Sequence, residues 1–300
     1  MGRDEKPIHD AATVVVVRDE GDPFQIFMLR RHGGHEFMAN AWVFPGGRLD
    51  EADCSPQIAE FIPDLDPGEA ARKLGGDLDG QVALGLHVAA LRETFEEAGL
   101  LLARRADSGD PLVFGDPELR EHFDELRGAV DSADLTMFEL CRREGLLLEA
   151  EGLAYLAHWI TPDFESRRYD TRFFAALAPA GQVASCDDGE TTQGAWTSPQ
   201  GAIERYRAEE ILLAPPTLRI LEELSAFSSP DELFDNLRRR DIPPTILPHP
   251  HPLESGEIAL LLPGDPEYPT GDPKLAAATP IEEGVTRIVR RGDQWFSVFD

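Results

Sequence analysis

Leu91-Arg92-Glu93-Thr94-Phe95-Glu96-Glu97-Ala98-Gly99-Leu100 is the stretch on which the reading of this chain turns. Each residue of an α-helix advances about 100°, so Glu96 falls about 60° to one side of Glu93 and Glu97 about 40° to the other. Three carboxylates therefore share one helical face, and Ala98-Gly99 supplies a C-terminal stop. Like charges at these spacings destabilise a helix by a few tenths of a kcal/mol each. Such a cluster is either a solvated acidic face or a site for a hard divalent cation, which prefers oxygen ligands. Before it, Val82, Leu84 or Leu86, Val88, Ala89, Leu91 and Phe95 recur at helical spacing and predict a helix over 81–98 with one inner face.

Upstream the chain reads Trp42-Val43-Phe44-Pro45-Gly46-Gly47-Arg48-Leu49-Asp50. A Gly-Gly pair followed by Arg-Glu-x-x-Glu-Glu-x-Gly-aliphatic resembles the Nudix box, G-x5-E-x7-R-E-U-x-E-E-x-G-U, with U a bulky aliphatic. Gly47, Arg92, Glu93, Glu96, Glu97, Gly99 and Leu100 match it. The chain departs from it in three places. Thr94 stands where an aliphatic residue is usual. Arg92 follows Gly47 by 45 residues where the family spacing is 14, so an insertion of 31 residues splits the box. The box glutamate due six residues after Gly47 is Asp53, and Leu84 stands eight residues before Arg92.

A split box resembles the Nudix enzymes related to peroxisomal and mitochondrial coenzyme A diphosphatase. Leu29-Arg30-Arg31, Phe37-Met38, Trp159-Ile160-Thr161-Pro162 and Arg168-Tyr169-Asp170-Thr171-Arg172-Phe173-Phe174 also look like that subgroup. The resemblance implies an α/β/α sandwich, a mixed sheet between helices, with a helical insertion inside the box and a C-terminal extension. It implies hydrolysis of a nucleoside diphosphate linked to a second moiety, with Mg²⁺ or Mn²⁺ as cofactor. Glu93, Glu96 and Glu97 would hold the metal, and Arg92 would orient them. Gly46, Gly47, Arg30, Arg31 and Arg172 are the candidate substrate contacts. Solvated strand ends for the first two arginines, and a core-edge ion pair for Arg172, are the alternatives. Glu190, in the acidic loop before Trp196, is the candidate further metal ligand or base, against an ordinary acidic turn. Coenzyme A or acyl-coenzyme A is the substrate the subgroup points to. ADP-ribose, NADH or a nucleotide sugar is the alternative within the enzyme class, and a nucleotide-sensing module that does not hydrolyse is the alternative outside it.

The remaining 300-residue sequence narrows these readings. With 42% hydrophobic residues it buries a substantial core. Its formal net charge of −28 disfavours nucleic acid and anionic membranes, and any phosphate substrate needs a metal and local arginines. The only lysines are Lys6, Lys73 and Lys274, a bias that fits either high salt or a GC-rich genome. Cys54, Cys141 and Cys186 are sparse and without metal-site spacing, as in a reduced interior. Asp4, Glu5 and Lys6 give no apolar signal core, so the expected location is cytoplasmic.

In chain order, 12–18 reads as a buried strand and 24–31 as its hairpin partner. The insertion, 54–80, carries short helical patches at 57–61 and 68–74 between Pro and Gly breakers. A strand is expected from Leu100, helices over 117–128 and 132–144, and strands over 153–160 and 171–177. Asp131 or Ser132 would cap the second of those helices. Ser198-Pro199 and Pro215-Pro216-Thr217 open two further helices. The Nudix domain is placed at 1–227, and a Pro-rich extension packed on the body at 228–300, with short strands over 258–262, 286–290 and 295–299. Its function is open; a contact between two copies in a homodimer is one possibility.

Overall fold

Val14 to Val17 form the centre of β1 (Ile8–Arg18) in the computed structural model, which describes residues 6–20, 23–32, 40–75, 78–186, 191–281 and 284–298. A strand without polar alternation is covered on both faces. Ala12, Val14 and Val16 pack into one core, and Val15 and Val17 into another. β2 (Gln25–Arg31) returns antiparallel with Ile26 opposite Val17, and β3 (Trp42–Val43) pairs with β2. β4 (Gly46–Arg48) then lies back along β1, with Gly46 opposite Thr13 and Gly47 opposite Ala12.

The insertion begins with tight helical turns at Glu51–Cys54 and Pro56–Phe61 and continues into α1 (Pro67–Leu74). Ile58, Ile62, Leu65, Ala70 and Leu74 enter the same core as the next helix, α2 (Gly80–Ala98). Asp79 caps α2 by accepting from the Gln81 and Val82 N–H groups, and Gly99 ends it at φ 66°. The sequence predicts one inner face for this helix, yet it is buried nearly all round from Ala83 onward. The sheet covers one side and the insertion another: a Cβ on Gly85 would stand 2.6 Å from Cys54 Sγ.

Beyond α2, Leu100 to Leu102 are buried, and strand pairing starts only at β5 (Ala103–Arg105). α3 (Pro117–Asp131) runs three residues further than its sequence suggests, and α4 starts later (Met137–Glu144). The cap of α4 is therefore Thr136, not Asp131 or Ser132, because only Thr136 finds the reciprocal Glu139 partner of a capping box. β6 (Leu146–Leu148) pairs with β5.

β7 (Ala154–Ile160) is antiparallel to β8 (Arg168–Leu177), which runs parallel to β1. β9 (Thr191–Thr197) completes the other edge beside β2. α5 (Pro199–Arg207) and α6 (Pro215–Leu224) follow, with Leu218, Ile220, Leu221 and Leu224 in the core shared with Val15 and Val17. The mixed sheet thus lies between α2 on one face and α5 and α6 on the other, the expected α/β/α sandwich.

The last seventy or so residues open with α7 (Pro230–Arg239), which is missing from the sequence reading although Ser229 caps it through the Glu232 N–H. β10 (Thr245–Ile246) adds parallel to β7 at the sheet edge. β11 (His249–Pro252), β12 (Ile258–Leu261), β13 (Arg287–Arg291) and β14 (Gln294–Val298) form a second antiparallel sheet. One face of it sends Leu260 and Ile288 into the core with α5 to α7, and the other packs Ala259, Leu261 and Val289 with Tyr268. Among the described residues no helix is long and apolar enough to cross a membrane.

Candidate active site

Arg92 organises the last turns of α2. Its Nη1 donates to Glu93 Oε1 and Glu96 Oε2, each at 2.8 Å. Its Nη2 donates to Asp53 Oδ2 at 3.0 Å and to the Arg48 carbonyl at 2.8 Å, while Nε reaches Asp53 Oδ1 at 3.0 Å. All five N–H donors of the guanidinium are thereby used. Asp53 is 2% exposed and also accepts the Asp50 N–H at 3.0 Å. An aspartate six residues beyond Gly47 thus holds the box arginine where the family has a glutamate. The tight turn over 51–54 brings its shorter side chain into reach.

The Gly-Gly pair meets the same carboxylates. Gly46 N–H donates to Glu97 Oε2 at 2.8 Å. A Cβ on Gly47 would stand 2.3 Å from Glu93 Oε1, whereas one on Gly46 would stand 2.6 Å from the Ala12 carbonyl and from Thr13 Cα. The two glycines are therefore expected to fail differently. In Gly47→Ala the flexible end of Glu93 gives way, so the protein folds but its carboxylate is displaced. A loss of about a hundredfold in kcat/KM follows from a misplacement of an ångström or so. Gly46→Ala pushes on strand backbone and should cost stability, about 1–3 kcal/mol or more. Parallel thermal melts and kinetics on the two variants check this; a fully active Gly47→Ala would refute the close approach.

Glu93, Glu96 and Glu97 line one cleft of about 1240 Å³ together with Gly46, Gly47, Arg48, Asp53 and Arg92. Arg31 lines it too, and its buried Nε has no hydrogen-bond partner among the described residues. Arg30 faces elsewhere and donates to Asn40 Oδ1 at 3.1 Å. Arg172 is not brought to the cleft. Strand alternation turns Tyr169, Thr171 and Phe173 toward it and Arg172 to the opposite face. There Arg172 is buried and pairs with Asp170 at 2.6 Å and Asp10 at 3.4 Å, the core-edge alternative. Asp170 is held below the usual carboxylate range: burial works against this, but His158 and Arg172 outweigh it. Glu190 and the Phe37-Met38 pair lie outside the described residues. Cleft residues that sequence reasoning missed include Thr13, Phe164, Tyr169, Leu212 and the C-terminal wall of Pro250, Ile258 and Trp295. The period-two spacing of Ile258, Leu260 and Leu262 was a signal for that wall.

Burial pushes the Glu93 carboxyl up to about 8 and that of Glu96 up to about 7, with Arg92 pulling both back. Desolvated carboxylates at one cleft wall are hard oxygen donors whose charge needs offsetting, and they suit Mg²⁺ or Mn²⁺ better than softer ions. Among the described residues no three His, Cys, Asp or Glu side chains are already grouped to hold a metal ion, and Arg92 Nη1 stands between Glu93 and Glu96. The donor chemistry fits a divalent cation, which Glu93, Glu96 and Glu97 would hold while Arg92 keeps its hydrogen bonds to the first two.

A family model for the NUDT19 Nudix domain matches residues 8–224. The acyl-coenzyme A diphosphatase NUDT19 of Gallus gallus is 32% identical over 294 residues, spanning 85% of this chain and 77% of its own length. The Homo sapiens protein of the same name is 27% identical, with 92% of this chain and 80% of its own length covered. Among solved structures, a NUDIX hydrolase from Alicyclobacillus acidocaldarius superposes with a TM-score of 0.59 at 24% identity, covering 80% of this chain and 99% of that one.

Proposed function

This chain belongs to the Nudix family through its NUDT19 Nudix domain, and from that membership we propose that it cleaves the diphosphate bond of coenzyme A and acyl-coenzyme A. Water would add to one phosphorus as the bridging P–O bond breaks, leaving adenosine 3′,5′-bisphosphate and a phosphopantetheine. Glu93, Glu96 and Glu97 would hold Mg²⁺ or Mn²⁺. When bound, such an ion supplies charge neutralisation for the diphosphate and lowers the pKa of an attacking water.

The observation that carries this reading is the carboxylate set itself. Three glutamates of one helical turn are aimed into a single cleft, two held by Arg92 and the third by the Gly46 N–H. Orientation by hydrogen-bonded partners of this kind typically accounts for 10–100-fold in metal affinity or activity, by order of magnitude about 1–3 kcal/mol. Arg31, with its unpaired buried Nε, is suited to a diphosphate oxygen that the acidic surface would otherwise repel. Glu190 remains the proposed base or additional ligand.

The test is a hydrolysis panel in millimolar Mg²⁺ and then Mn²⁺ over coenzyme A, acetyl-coenzyme A, ADP-ribose, NADH and UDP-glucose, with products identified by mass. Preferential release of adenosine 3′,5′-bisphosphate from the coenzyme A compounds is expected. Cleavage of ADP-ribose or NADH in their place would keep the chemistry and overturn the substrate. No cleavage with either metal would leave a nucleotide-sensing module as the better description.

A further inference from the structure

Phe164, Leu212 and Ile258 are large apolar side chains left about half exposed, and all three stand inside the carboxylate cleft. Single exposed apolar residues on a convex surface need no explanation, but several inside one concave site mark the place of an apolar ligand. The cleft volume of about 1240 Å³ also exceeds the usual 300–1,000 Å³ of a small-molecule site.

Ile258 belongs to the C-terminal sheet, beyond the segment matched by the family model. Pro250 is registered with Leu260, and Ile258 with Arg290, which is in turn registered with Trp295. Pro250, Ile258, Leu260 and Trp295 all line the cleft, so the face of this sheet that packs Leu260 and Ile288 against α5 to α7 also contributes Pro250, Ile258 and Trp295 to the cleft wall. Its other face is already covered, with Ala259 and Leu261 packed with Tyr268.

Strand register measures how far the sheet edge at β10, from which the chain passes to that wall, stands from the Gly-Gly backbone. Gly47, Ala12, Arg172, His158 and Thr245 are successive partners across β4, β1, β8, β7 and β10. Four inter-strand steps of about 4.8 Å make roughly 19 Å from the Gly-Gly backbone to β10, after which the chain enters the second sheet. A phosphopantetheine arm has thirteen bonds from phosphorus to sulfur, roughly 15 Å when extended at about 3.5 Å per three bonds. An arm leaving a diphosphate at Glu93 and Gly47 thus has a reach of the same order as that span.

We infer that the part of this sheet's inner face that lines the cleft is the acyl-binding wall of the enzyme, and that Ile258, with Phe164 and Leu212 of the same cleft, selects acyl-coenzyme A over the free thiol. The inference rests on the coenzyme A reading above. The test compares kcat/KM for free coenzyme A, acetyl-coenzyme A and octanoyl-coenzyme A in the full chain, in Ile258→Asp and in Phe164→Ser. Sheltering one methylene is worth about fourfold, so wild type should favour the octanoyl compound over the free thiol by tenfold or more. Each variant should lower that preference at least tenfold, through KM for the octanoyl substrate with kcat little changed. Phe164→Ser, at a half-exposed loop position, decides the matter should Ile258→Asp misfold. A preference absent in wild type, or unmoved in the folded variants, overturns the acyl wall while leaving coenzyme A cleavage standing. Failure to cleave any coenzyme A compound, with ADP-ribose cleaved, overturns the substrate reading and the wall with it.

Discussion

Glu97→Gln is expected to lose about a thousandfold in kcat, the upper range for removing one preorganised charged or hydrogen-bonding group from an active site. The fold should survive. An amide oxygen can accept the Gly46 N–H that Glu97 Oε2 now accepts at 2.8 Å, so the geometry between α2 and β4 is retained. What disappears is one unit of negative charge facing the cleft. Circular dichroism and a thermal melt should match wild type, while Mn²⁺ titration should show weakened binding. A folded Glu97→Gln with wild-type turnover would sink the assignment of this carboxylate to the reaction.

Arg92→Ala should show the largest loss of stability. It strips the counter-charge from Asp53, Glu93 and Glu96 at once, all of them buried or nearly so. Removing one partner of a buried ion pair typically costs about 3–5 kcal/mol. At roughly 2–4 °C per kcal/mol for a protein of this size, the melting temperature should fall by about 10 °C. Arg92→Lys should rescue little, since three donors from one nitrogen cannot replace a planar group that uses five. The deficit has a pH signature. Glu93 is pushed up to about 8 and Glu96 to about 7, both above the ordinary 4.5, so their ionisation removes stability as pH rises from about 4.5 toward 8. Arg92 opposes that loss. Without it the gap between variant and wild type should be smallest near pH 5 and widen toward pH 8. Asp53→Asn, which keeps an acceptor for Arg92 but not the charge, should be the milder lesion, about 10–100-fold in activity. Equal melting temperatures for wild type and Arg92→Ala across that range would refute the role given to the guanidinium.

Helical spacing alone predicted that Glu93, Glu96 and Glu97 share a face, and Gly47 was legible as their partner through the box. The sequence also marked Asp53 by its six-residue offset, but not whether an aspartate could do a glutamate's work. That depended on a tight turn whose geometry no spacing rule fixes. Arg172 failed for a simpler reason. Side-chain parity along β8 follows from its register with β1, set by Ile8 opposite Arg168, and a strand read as starting at Thr171 carries no such reference. The C-terminal wall was legible only as a short alternating strand, because its place at the cleft depends on docking, and proline-rich composition says little about which face a short strand presents. The helix boundary at Thr136 is missed because the sequence reading weighs only Asp131 and Ser132 as caps and leaves out the Glu139 contact that marks Thr136.

The Asp53–Arg92 contact ties together the two ends of the insertion. For a flexible chain, lengthening the loop closed by this contact from the 8 residues of an unsplit box to 39 adds only about 1.4 kcal/mol of closure entropy, since the cost grows with the logarithm of length. That increment is smaller than the stabilisation expected from burying Ile58, Ile62 and Leu65, at about 1.5–3 kcal/mol for each large apolar side chain. A catalytic motif pinned at the mouth of a loop in this way tolerates growth inside itself. Further lengthening between Ser55 and Leu78 should be nearly neutral for the carboxylates, making this stretch a place where new surface can accumulate while the chemistry holds still.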